Sequence, residues 1–213
     1  FNKECSLHIH FGNFPLDPDK MFRLYRLCKI LESSISGLVP TYTFCSGRYK
    51  DNGKDYCNKL PLYRNFNQMY EHLVGRKFFG DFTQPHPNDI RREAKWRIPT
   101  RYFWVNFINA LCYTVNKTIE FRLLRPTYNF NKILLWIYIF NAILKYAESD
   151  KSLSNIECVE DVIKAIYEED LREEILLGIT RLKILCINQE RNNDFSGQDV
   201  SLEGRLFDSV SYI

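Results

Sequence analysis

No run in this chain of 213 residues is long and apolar enough to cross a bilayer; the densest stretch, Ile133 to Leu144, falls short of the roughly 20 residues a spanning helix needs and is interrupted by Asn141. Glycine and proline are sparse at 9 and 8 residues, which excludes collagen-like and low-complexity chains. There is no internal repeat and no CxxC pair. The 7 cysteines are odd in number, and Cys28, Cys112 and Cys186 sit within apolar periodic stretches. A disulfide scaffold is therefore not expected, and a reducing compartment is. One pair, Cys45 and Cys57, flanks a polar loop at a spacing that suits pairing. Strong charge of one sign is also missing, since the net charge is only +3.

What is present is ordinary globular material. Hydrophobic residues make up 45% and charged residues 26%, a balance that excludes a wholly disordered chain. The 16 Phe and 13 Tyr supply large flat side chains for a core. Charge is unevenly spread. Residues 1–107 hold 17 Lys and Arg against 10 Asp and Glu, and residues 108–213 hold 12 against 16. A basic front half suits phosphate-bearing ligands, yet the excess is too modest to imply nucleic acid. The expectation is a soluble chain, cytoplasmic or carried in a virion. With Phe at position 1, the first strand has no lead-in. We therefore expect an upstream segment, either cleaved or lying outside this sequence.

Periodicity predicts the elements. Residues 5–11 alternate without exception, placing Cys5, Leu7, Ile9 and Phe11 on one face and Ser6, His8 and His10 on the other. Asp17 is placed to cap a helix over 18–36 with Pro18 at its first position, and Gly37 and Pro40 stop it. Residues 41–65 and 75–100 read as loops around a short helix over 67–74. The second loop carries Arg91, Arg92, Lys95, Arg97 and Arg101 around Trp96. Strands are predicted over 102–108 and 117–124, the latter with Thr118, Glu120 and Arg122 opposite Ile119, Phe121 and Leu123. A densely apolar helix follows over 129–148. Ser154 and Glu157 have capping-box spacing for another helix, and a last one is predicted over 170–187. The division is 1–150 as the main unit, 151–187 as a helical extension and 188–213 as a polar tail. The class is α+β.

Side chains at i and i+2 of a strand lie on one side, about 6–7 Å apart. If the first and last strands share a sheet, His8, His10, Glu120 and Arg122 form a polar floor able to hold a divalent ion and an oxyanion. The same pattern also describes the solvated faces of two amphipathic strands. The basic run from Arg91 to Arg101 has a similar pair of readings, a grip on nucleic-acid phosphates or a solvated loop. His72 and His86 lack partners at metal-ligand spacing.

Cys-Ser-Leu-His-Ile-His-Phe-Gly at 5–12 resembles the C-G-L-H-V-H-V-G signature of the glutamine-synthetase-like carboxylate–amine ligases, and most nearly the amidoligase branch related to γ-glutamylcysteine ligases. Arg101-Tyr102 with Asn106 resembles the R-Y-x-x-x-N segment of that family, and Thr118 to Arg122 its T-V-E-F-R strand. Arg125-Pro126-Thr127 and the helix bearing Trp136 resemble what comes next, so the likeness covers about residues 3–148. It implies a curved, mainly antiparallel sheet covered by helices on one face. The implied activity is ATP-dependent joining of a carboxylate to an amine through an acyl phosphate, with Mg²⁺ or Mn²⁺.

By the same resemblance His8 and Glu120 correspond to metal ligands, and His10, Arg97 and Arg101 to groups that meet nucleotide phosphates. Arg122 and Glu120 correspond to catalytic residues, Arg122 on the carboxylate or transferring phosphoryl, and Asn106 to a substrate contact. The chain departs from the family at Ser6, where the signature has glycine, and in lacking the leading strands with a G-x-E-x-E-like pair of carboxylates. A further segment or partner chain is expected to complete the sheet. The alternative is a degenerate ligase fold kept as a structural component of a large complex or virus particle.

Overall fold

The computed structural model describes residues 7–39, 58–75, 77, 78, 80, 103–111, 117–124 and 127–191. Outside them lie Cys5, the Cys45 and Cys57 pairing, His86, the basic run with Arg97 and Arg101, and the tail from 192 onward. The described elements alternate β1 (Leu7–Gly12), α1 (Pro18–Ser36), α2 (Phe66–Val74), β2 (Val105–Asn106), α3 (Ile108–Leu111), β3 (Thr118–Leu124) and α4 (Phe130–Glu148). A 3₁₀ turn over Leu153–Asn155 then leads into α5 (Val159–Ile166) and α6 (Glu169–Arg191). The class is α+β.

The sheet is small and antiparallel, with strand order β1-β3-β2. Its register sets His10 opposite Glu120 on one side and Asn106 opposite Glu120 on the other. Pairing slips between Leu7 and Ile9: Leu7 faces Leu124 whereas Ile9 faces Phe121, so β3 carries one extra residue there. That bulge turns both Leu123 and Leu124 inward, and both are buried. Parity does the rest. Ile119, Phe121 and Leu123 are fully buried on the side where Phe121 stacks on Phe140 of α4, ring centroids 4.0 Å apart. The polar parity set of β3 projects to the other side.

α1 begins as its sequence indicates. Asp17 caps it by accepting from the N–H groups of Asp19 and Lys20, each at 2.9 Å, and Pro18 occupies the first turn where a missing N–H costs nothing. Its buried stripe of Met21, Leu24, Leu27, Cys28, Leu31 and Ile35 packs against α4. Val159, Val162 and Ile163 of α5 and Ile175, Ile179 and Leu182 of α6 join the same apolar cluster as α1, α4 and the sheet. Cys28 and Cys158 are free thiols. None of the described helices is long and apolar enough to cross a membrane.

Two local expectations are corrected. The strand predicted over 102–108 is described only at Val105–Asn106, because the Asn106 side chain accepts the N–H of Ile108 at 2.9 Å and starts a helical turn instead. The capping box expected at Ser154 and Glu157 lies four residues later. Burial of Leu153 and Ile156, three apart, winds Leu153–Asn155 into the 3₁₀ turn. Asp161 then caps α5, accepting the N–H groups of Glu157 and Cys158 at 3.0 Å each.

Candidate polar site on the sheet

Five of the residues singled out from sequence meet on the polar side of the three strands. β3 is central, so Glu120 has a neighbour on each side. Nδ1 of His8, on β1, donates to Oε1 of Glu120 at 2.9 Å. Nε2 of His10 lies 3.9 Å from the same oxygen, and Nε of Arg122 lies 3.3 Å from it. The other oxygen, Oε2, accepts from Nδ2 of Asn106 on β2 at 2.8 Å. Arg97 and Arg101 lie outside the described residues.

Burial separates the group into two tiers. Glu120 and Arg122 side chains are each 9% exposed, whereas His8 is 30% and His10 44% exposed. The carboxylate and guanidinium are thus more deeply set than a polar strand face predicts. Their mutual pairing, with His8 and Asn106 added, offsets the desolvation that a lone buried charge would suffer. The electrostatics follow. Burial alone would push the Glu120 carboxyl up; the His8 hydrogen bond, the Arg122 charge and the Asn106 amide override it and hold the pKa at about 2, against an ordinary 4.5. Glu120 is an anion at any physiological pH.

Two residues have functions that their spacing alone did not reveal. Asn106, matched to a substrate contact by resemblance, is 4% exposed, with its amide N–H on Glu120 and its amide oxygen on the Ile108 N–H. It fixes the plane of the carboxylate. Thr118 shares the polar face of β3, and its Oγ1 is hydrogen-bonded to Nδ1 of His10 at 3.2 Å, which orients that ring. Alternation had placed Thr118 on this face, and that was the available signal. His72, on α2, pairs through Nδ1 with the Tyr63 hydroxyl.

The donors of His8, His10 and Glu120 all lie within 4.8 Å of one another, close enough for one ion to reach all three. Chemically the face offers two imidazoles that solvent reaches, one fixed carboxylate and a guanidinium. It can hold a cation, orient an anion, or do both. Comparisons with protein-family models, with curated proteins and with solved structures found no match.

Proposed function

We propose that this chain carries part of the active site of an ATP-dependent carboxylate–amine ligase, on a sheet of the glutamine-synthetase-like type. The observation that supports this is the convergence of His8, His10, Glu120 and Arg122 on one side of paired strands, around Oε1 of Glu120. Ligases of this kind need an anion-orienting guanidinium beside a cation-binding carboxylate. In the reaction, a substrate carboxylate attacks the γ-phosphorus of ATP and ADP departs. An amine then attacks the acyl carbon of the resulting acyl phosphate, and inorganic phosphate leaves. Arg122 would orient the carboxylate or the transferring phosphoryl, and the half-exposed His10 would face nucleotide phosphate.

The residues present do not by themselves fit Mg²⁺. That ion favours octahedral oxygen donors, whereas this face supplies two ring nitrogens and one carboxylate oxygen. The ligase reading therefore requires oxygen donors from a further segment or partner chain. The test is ligand linkage in the intact protein. ATP with Mg²⁺ is expected to raise the thermal midpoint, and His10→Ala to remove most of that rise. An unchanged midpoint at millimolar ATP would end the ligase reading.

A second reading has its own support. Oε1 of Glu120 faces His8 and Arg122, and Oε2 faces Asn106, so the carboxylate is satisfied without any ligand. Such a closed network serves equally to lock three strands together in a non-catalytic assembly component. That reading predicts no response to ATP and a large loss of stability on Glu120→Ala.

A further inference from the structure

We propose that His8, His10 and Glu120 form a self-sufficient three-donor site for a borderline first-row transition ion, with Zn²⁺ the best fit and Mg²⁺ excluded. All three residues also serve the ligase reading, but the metal site stands without it. Three features of the structure carry it.

The first is reach. Donors about 2.1 Å from a common tetrahedral ion lie about 3.4 Å from one another. Oε1 of Glu120 stands 2.9 Å from His8 Nδ1 and 3.9 Å from His10 Nε2, and the whole set spans no more than 4.8 Å. Small side-chain shifts complete the geometry, and the two histidines are the exposed members that can make them. The strand pairing of His10 with Glu120 keeps the set together without any ligand present.

The second is outer support of the kind that metal ligands usually have. The Thr118 hydroxyl occupies Nδ1 of His10, which leaves Nε2 as the nitrogen turned to Glu120. The Asn106 amide occupies Oε2 of Glu120, which leaves Oε1 as the single coordinating oxygen. His10 and Glu120 are thus each restricted to one donor atom, and Oε1 is also the oxygen that faces Nδ1 of His8.

The third is donor type. Two imidazole nitrogens and one carboxylate oxygen form a set that suits Zn²⁺ and its neighbours, whereas Mg²⁺ and Ca²⁺ take oxygen cages. On binding, His8 exchanges its hydrogen bond to Glu120 for coordination, so its Nδ1 must be unprotonated. Arg122, 3.3 Å from Oε1, repels a dication and limits the affinity.

Calorimetric titration of the 213-residue chain, without nucleotide, tests this. Zn²⁺ is expected to bind one per chain and to survive a large molar excess of Mg²⁺. Thr118→Val is expected to weaken binding about tenfold, as loss of an outer-shell partner usually does. His8→Ala and His10→Ala should abolish it. These are surface replacements that circular dichroism can verify as folded, unlike Glu120→Ala. Because the chain holds 7 cysteines, Co²⁺ substitution supplies the control. A visible spectrum without a thiolate charge-transfer band supports the site. A thiolate band, displacement by Mg²⁺, binding indifferent to His10→Ala, or no binding at all would each overturn it. Zn²⁺ binding without any ATP response leaves this site standing and removes the ligase; an ATP response without Zn²⁺ binding does the reverse.

Discussion

Glu120 has both oxygens committed inside the protein, and that makes its protonation a stability event. Its pKa of about 2 lies below the ordinary 4.5, so the folded state holds the anion more firmly than the unfolded chain does. The stabilisation is complete above pH 4.5 and is lost as pH falls toward 2. Glu120→Gln should therefore be less stable than the parent at pH 7, yet show a flatter decline between about pH 5 and pH 2, read from urea midpoints across that range. An equally steep decline in the variant would place the acid sensitivity elsewhere. This residue also shows what alternation can and cannot reveal. Placing Glu120 on the polar face of a strand needed only a period of two, and so did His8 and His10. Its depth did not follow, because burial depends on Arg122 and Asn106 closing over it from the same strand and the next.

At the scale of elements, a second carboxylate holds the architecture together. Glu32 on α1 is buried and accepts from Lys29 Nζ at 2.5 Å, the Leu60 N–H at 2.6 Å and the Trp104 indole at 3.2 Å. It thereby ties the helix to the segment entering α2 and to the residue that leads into β2. Glu32→Ala would leave a backbone N–H and an indole N–H buried without this acceptor, at a cost of about 3 kcal/mol. Glu32→Gln should cost clearly less, since it keeps an acceptor oxygen; equal losses in chemical denaturation would contradict the assignment. Nothing in the sequence marked this residue. A single Glu in an amphipathic helix reads as solvated, and neither Leu60 nor Trp104 is near it along the chain. By contrast α1 and α4 were legible nearly to the residue, because Asp17, Asn129 and Gly37 act through neighbours within a turn. β2 was overextended for the same reason in reverse: its end is set by a side chain, Asn106, that competes with the strand.

For the molecule as a whole, stability should be highest at the central strand. Phe121 pairs with Ile9 on one side and Val105 on the other, and its ring lies against Phe140. Amide exchange at Glu120 and Phe121 should proceed only by global unfolding, with protection equal to the stability measured by denaturant. Faster exchange there than in α4 would show that the sheet opens before the helices separate. α5 and α6 belong to the same apolar cluster, and the Asn141 to Tyr167 hydrogen bond at 3.2 Å ties α4 to the end of α5. The helical region after residue 151 should thus melt with the rest in one transition.

The pairing of β1 with β3 also fixes an order of events at birth. His10 and Thr118 touch across 108 positions of chain, so β1 cannot close its ladder with β3 until the element bearing Leu124 has followed it from the ribosome. Until then β1 lacks this partner strand, and the two imidazoles lack the Glu120 carboxylate between them. A chain interrupted before residue 117 carries His8 and His10 as ordinary surface histidines. Translation must run past Glu120 before this polar site can form.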